Sequence, residues 1–396
     1  MLSLSADPWT ADQTLQQHLE TRGVSRRQFL RFARDIGVLL GVTQMGLPKL
    51  AKALSVVKRP SVVWLQLQEC TGCVESVLRT NEPTIGNLLL DVVSLDYNHT
   101  LMAASGHAAE EALQHAMKEN TGEYLLVVSG SIPTKDNGIY TMIGGRSAET
   151  VIKEAAKGAA AIVALGACAH FGGVQAARPN PTEAKGVREI IRDRPILTIA
   201  GCPPIGDVLT ASIVHWLTFK RLPESDSEGR PLFAYGKRIH DQCPRRAHFD
   251  AGQYVEQFDD EGAKKAWCLY KVGCKGPATS SPCPIFLWND QTSWPIGSGH
   301  PCLGCTEAHF WDTMTPFYHR LPEAVVAGFP IEHRVDRIGA TLAGAAVAGV
   351  GLHAVVTAVQ MSRRRADGST YLLDAPPEDR ANGTASGGDD DYPHTH

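Results

Sequence analysis

Three apolar, β-branched runs in the first half of the chain each end in a turn carrying glycine and cysteine, and this repetition leaves few folds open. Ser61 to Leu67 leads into Glu69-Cys70-Thr71-Gly72-Cys73, Ala160 to Leu165 into Gly166-Ala167-Cys168, and Ile196 to Ala200 into Gly201-Cys202-Pro203-Pro204. Leu88 to Leu95 and Tyr124 to Val128 have the same character, and helix-compatible stretches separate several of the runs. The alternation predicts the α/β class, a parallel sheet with covering helices over roughly residues 60 to 220. Parallel strands bring their carboxyl ends to one edge, where open sheets bind ligands. Cys70, Cys73, Cys168 and Cys202 are therefore expected to converge on one site, with the glycines letting the backbone come close.

All ten cysteines lie between Cys70 and Cys305. Past Leu222 the periodicity stops, and His240 to Pro316 is dense in Cys, Gly, Pro and Trp. A regular hydrophobic core is not expected to hold this stretch together. It contains His240-x-x-Cys243, Cys268, Cys274, Cys283 and Cys302-Leu303-Gly304-Cys305. Cubane clusters take four ligands, so ten thiols and one imidazole divide as four, four and three, and a three-iron cluster fits the deficit. Disulfides and structural zinc compete for the same residues, since a lone Cys-x-x-Cys is common to all three chemistries.

The ends bear on that choice. Ser25-Arg26-Arg27-Gln28-Phe29-Leu30, an uncharged run from Ile36 to Pro48 and the small-x-small site Ala51-Lys52-Ala53 are ordered like an export signal of the twin-arginine type. Residues 1–53 are the expected signal, with the mature chain starting near Leu54. Such a signal marks cargo that folds around its cofactor in a reducing cytoplasm, which disfavours disulfides. From Ile338 to Met361 there is no formal charge, a length of roughly 36 Å as a helix against a hydrocarbon core of about 30 Å. A transmembrane helix is expected over 336–362, and the competing reading is a buried core helix. Gly344, Ala345, Ala348 and Gly349 suit packing on another helix, and Arg363, Arg364 and Arg365 place the C-terminus in the cytoplasm. Residues 363–396 turn to Gly, Ser, Asp and Pro and read as a disordered tail.

With 43% hydrophobic and 20% charged residues the chain can bury a core, and a net charge of -4 supplies no field to gather nucleic acid. His99, His107, His115, His309 and His319 show no ligand spacing and are expected at the surface or in packing.

These motifs, with Gly-Pro-Ala-Thr at 276 to 279, Cys283-Pro284 and Gly-His-Pro-Cys-Leu-Gly-Cys at 299 to 305, resemble the small subunits of nickel-iron hydrogenases over nearly the whole chain. The resemblance implies a flavodoxin-like domain over 54–220 with a proximal 4Fe-4S cluster on Cys70, Cys73, Cys168 and Cys202. It implies an irregular iron-sulfur domain over 221–330. There Cys283, Cys302 and Cys305 would hold a medial 3Fe-4S cluster, with Pro295 where relatives with a medial cubane have a fourth thiol. His240, Cys243, Cys268 and Cys274 would hold a distal 4Fe-4S cluster. Oxygen-tolerant relatives add two cysteines around the proximal cluster, and those positions are Gly72 and Gly173 here. The resemblance also places Glu69 and Thr71 beside a proton exit; the competing reading of Glu69 is a cap or structural acceptor.

Hydrogen cleavage needs a Lewis-acidic metal and a base, and no thiol is left over for nickel, so the nickel-iron centre is expected on a large-subunit partner. Electrons would pass through the clusters to a membrane acceptor, a cytochrome b, and on to the quinone pool, with the main body on the periplasmic side; the ionisable His353 either faces that cytochrome or hydrogen-bonds a neighbouring helix. Two other readings explain part of the pattern: a membrane-anchored ferredoxin-like carrier, and a relative of the cluster-bearing subunit of respiratory complex I, which matches only the proximal half.

Overall fold

The computed structural model describes residues 25–39, 60–80, 93–289, 291–320 and 335–366, with isolated short pieces besides. They divide into two units, Met1–Leu321 and Pro322–His396.

In the first unit five parallel strands form one sheet: β1 (Ser61–Gln66), β2 (Ser94–Asn98), β3 (Leu125–Ser129), β4 (Ala161–Leu165) and β5 (Ile196–Ile199), in the order β2-β1-β3-β4-β5. That order is the flavodoxin-like doubly wound one. Every residue of β3 and β4 is buried, as central strands covered on both faces must be. The two-residue period sends neighbours to opposite layers. Val62, Trp64, Leu125, Val127, Val163 and Leu165 pack towards one core, and Val63, Leu65, Leu126, Val128, Ile162 and Ala164 towards the other.

The helices of the first unit begin with α1 (Arg26–Leu39), on which Phe29 and Ala33 are buried, and α2 (Gly72–Val77), which starts inside the first cysteine turn. Next come α3 (His107–Glu119), α4 (Ala148–Gly158), α5 (Ala167–Phe171) and α6 (Gly206–Phe219). α3 and α4 supply the second core and α2 and α6 the first. Ser147 caps α4 by accepting from the Thr150 amide at 3.4 Å. Between α1 and β1, residues 53–59 lie outside the described residues, Ala53 of the expected cleavage site among them.

One strand differs from expectation. The run Leu88 to Leu95 is the apolar signal, but the strand is Ser94–Asn98, and residues 88–92 lie outside the described residues. β2 is an edge strand paired only to β1, so its first residues are half-buried and its sequence is correspondingly polar.

Between Phe219 and Arg320 the described helices are only short turns, among them Leu232–Tyr235, Ile239–Gln242, Arg246–Asp250 and Cys283–Phe286, tied by isolated bridges such as Arg238 with Ser280 and Tyr254 with Cys268. Their core is small: Ile239, Val255, Leu269, Val272, Trp294, Ile296 and Cys302, with Cys243, Cys274 and Cys283 packed against it. The thiols are thus part of the packing. Arg230 fastens this region to the chain leaving the sheet, its Nε donating to Asp226 at 2.8 Å and its Nη1 to the Thr306 carbonyl at 3.0 Å and Glu307 at 3.1 Å.

In the second unit a helix, α7 (Val335–Ala366), contains a stretch, Thr341–Arg363, long and apolar enough to cross a membrane, with mean hydropathy 1.9. None of it is buried, as a core helix would be. Residues 367–396 lie outside the described residues.

Candidate metal centres

The three cysteine turns of the sheet do meet. β1 delivers Cys70 and Cys73, with Thr71 between them in the left-handed region at φ 68°. The turns after β4 and β5 are laced together, the Gly166 amide donating to the Ile199 carbonyl at 2.8 Å and the Ala167 amide to the Gly201 carbonyl at 2.7 Å. Gly166 shows why the residue type is fixed: its φ is 92°, and a Cβ there would lie 2.4 Å from the Cys73 sulfur. Burial first, and then Glu69 and the other three thiols, push the Cys73 pKa well up; burial and Cys202 raise Cys168 to about 12. Four thiolates in this space repel one another, so their ionised form needs a cationic partner. Gly72 and Gly173 sit against the same group: a Cβ would stand 3.3 Å from the Cys70 sulfur and 2.5 Å from the Cys168 sulfur respectively.

Beside them Glu69 is largely buried. Gln66 Nε2 donates to its Oε1 at 2.8 Å, and burial raises its pKa against the hydrogen bonds from Gln66 and Ser129.

Cys283, Cys302 and Cys305 line a single cavity of ≈ 260 Å³, and Pro295 is on its wall. Sulfur-directed donors surround it, with the Ser281 hydroxyl 3.2 Å from Cys283 and the Gly304 amide 3.4 Å from Cys302. Trp288 Nε1, on the same wall, is buried and turned to the Cys283 thiol. Donors aimed at ligand sulfur, and three thiols with a proline, suit a cluster one ligand short.

His240, Cys243, Cys268 and Cys274 line a third, narrower pocket together with Arg245 and Tyr270. The His240 ring meets the edge of Phe249 at 4.6 Å between centroids. Burial, and then Arg246, lower its pKa, which favours the neutral imidazole that binds metal.

The three groups lie in series. The Cys202 amide donates to the Cys305 thiol, and Cys202 also borders the middle cavity. The Cys302 amide donates to the Cys274 thiol, and the Lys275 amide returns to the Cys302 carbonyl at 2.8 Å. At each junction a residue of one group thus touches a sulfur of the next. All ten cysteines are free thiols, which removes the disulfide reading. Among the described residues no three His, Cys, Asp or Glu side chains are close enough to share one ion. Wider spacing fits a polynuclear cluster, whose thiolates are spread over several irons, better than mononuclear zinc.

Several contributors carry no sequence signal. Trp288, Lys275 and Arg230 look like ordinary residues until the loops are folded; Ser281, two residues before Cys283, is the one whose position hints at a thiol donor. Of the other histidines, His99 accepts from the Gln66 amide at 3.3 Å and His309 packs on Phe171, in keeping with packing roles.

Two family models match the chain: the NADH ubiquinone oxidoreductase 20 kDa subunit over residues 70–216, and the C-terminal domain of the NiFe/NiFeSe hydrogenase small subunit over 235–318. The uptake hydrogenase small subunit of Azotobacter vinelandii is 45% identical over 90% of this chain and 98% of its own length. The hydrogenase-1 small chain of Escherichia coli K12 is 46% identical over 89% of this chain and 94% of its own. A reduced, active NiFeSe hydrogenase from Desulfomicrobium baculatum has a chain that superposes with a TM-score of 0.63 at 33% identity, covering 66% of this chain and all of that one. The chain belongs to the family of nickel-iron hydrogenase small subunits. It is one part of an oxidoreductase, and membership implies bound iron-sulfur clusters and a large-subunit partner.

Proposed function

We propose that this chain is the electron-transfer subunit of a membrane-bound, periplasm-facing hydrogenase, taking electrons from H2 oxidised at the large subunit's nickel-iron site and delivering them to a membrane cytochrome b and the quinone pool. When bound, two 4Fe-4S clusters and one 3Fe-4S cluster supply one-electron centres whose potentials the protein sets. Cys70, Cys73, Cys168 and Cys202 hold the proximal cluster, an ordinary cubane because Gly72 and Gly173 bring no extra thiols. Cys283, Cys302 and Cys305 hold the medial cluster, and His240, Cys243, Cys268 and Cys274 the distal one. The observation that carries this reading is the series itself, Cys202 against Cys305 and Cys302 against Cys274.

In this reading, residues 1–53 are the export signal, 54–220 the proximal domain and 221–330 the cluster domain. Residues 336–362 are the anchor and 363–396 a cytoplasmic tail, with His353 turned to the cytochrome. Glu69, whose raised pKa favours holding a proton, takes protons from the interface with the large subunit beside Thr71. Glu69→Gln is expected to slow H2/D2 exchange by about 10²-fold while dye-driven reduction of the clusters stays intact.

The deciding experiment is purification from membranes with the native partner. Nickel is expected to co-purify with the chain. Truncation before α7 should release a soluble complex that still reduces dyes with H2 but no longer reduces quinone. A stable nickel-free monomer would overturn the hydrogenase reading, and a truncated complex that stays on the membrane would overturn the anchor.

A further inference from the structure

Lys275 directly follows Cys274, yet it is only 1% exposed, and lysine is among the residues least often fully buried unless paired. Its backbone is clamped: the amide donates to the Cys302 carbonyl at 2.8 Å, and the carbonyl accepts from Thr279 Oγ1 at 2.7 Å. Its Nζ donates to the His319 carbonyl. Burial lowers its pKa, and the groups that oppose that are the sulfurs of Cys274 and Cys302. One belongs to the distal group and the other to the medial group. A buried cation is costly unless an anion faces it, and a carbonyl alone does not neutralise one. Thiolate-ligated clusters on both sides supply the missing negative charge.

We propose that Lys275 tunes the electron relay at the medial–distal junction: its buried ammonium, on the residue that follows Cys274 and whose amide holds the Cys302 carbonyl, raises the reduction potentials of both clusters together. The proposal rests on the cluster assignment above. The physical reason is that each reduced cluster carries one more negative charge than its oxidised form, so a fixed positive charge in a medium of low dielectric favours the reduced form. Lys275 acts through Cys274 and Cys302 and is a positioning residue, not a catalytic one. The proximal group lies beyond the medial one and feels the charge least, which makes it an internal control.

The test is a potentiometric titration, read by electron paramagnetic resonance, of the purified complex with the large subunit in four forms: wild type, Lys275→Gln, Lys275→Met and Lys275→Arg. Gln retains a donor for the His319 carbonyl without the charge. At the potential that half-reduces the wild-type medial cluster, the reduced-to-oxidised ratio is expected to fall about tenfold in Lys275→Gln, a shift of ~59 mV for one electron. The distal cluster should move the same way, the proximal one should stay in place, and Lys275→Arg should match wild type. Unmoved medial and distal midpoints in a fully loaded Gln variant would overturn the proposal. So would equal shifts at all three clusters, or loss of clusters in both neutral variants with retention in Arg, which would make the charge a folding counter-ion. If the wild-type complex gave no three-iron signal, the cluster assignment itself would fail, independently of Lys275.

Discussion

Arg230 shows how much a single side chain carries here. Its guanidinium side chain is 9% exposed and engages two carboxylates, and Glu307 in turn accepts from the Ser280 amide at 2.6 Å. The two carboxylates and a bidentate-capable donor form a network that ties the chain leaving the sheet to the cluster-bearing loops. Arg230→Met would leave Asp226 and Glu307 without their cation. The expected loss is about 3 to 5 kcal/mol, seen as an earlier unfolding midpoint in urea and release of iron at lower denaturant. Residues of this kind are not legible in the sequence: nothing beside Arg230 or Lys275 marks them as buried, because their burial comes from loops that meet only in three dimensions. The cysteines are legible because metal ligation restricts both residue type and spacing. The convergence of Cys70, Cys73, Cys168 and Cys202 follows from strand direction alone, and the structure brings them together.

Among the elements, four of the five strands fall within two residues of the apolar runs that announce them: β1, β3 and β4 are central and buried on both faces, and β5, at the sheet's other edge, is still largely buried. β2 breaks the rule for a local reason. Asn98 is fully buried and its side chain accepts from the Thr100 and Leu101 amides, so the strand ends in a polar turn that hydropathy does not mark. The second half gives no periodic signal because its turns are too short to have a face. At the other end of the sheet domain, Tyr124 joins β3 to α4, its buried hydroxyl donating to the Ala155 carbonyl. Burial raises its pKa from 10.0 to about 12. The folded state therefore keeps the phenol protonated where the unfolded chain ionises. Its contribution to stability is complete below pH 10 and is lost as the pH rises through about 12. Thermal melts of the complex between pH 9 and 11 should show a shallower alkaline decline for Tyr124→Phe than for wild type; identical slopes would contradict this.

At the scale of the whole molecule, the sheet domain supplies one thiol group and the irregular region the other two. Their junctions depend on the backbone amides of Cys202 and Cys302. The fold thereby forms a line whose first member sits at the carboxyl edge of the sheet and whose last is ringed by Phe249, Tyr270 and Arg245. In the proposed assignment ten thiols and an imidazole hold three clusters. The most direct test is the iron and acid-labile sulfide bound to this chain after the large subunit is stripped from the anaerobically purified complex. The account predicts about eleven iron atoms per chain with a 3Fe-4S resonance in the oxidised state. A chain holding about four irons with the remaining thiols free to alkylation, or an iron-free chain holding zinc, would contradict it.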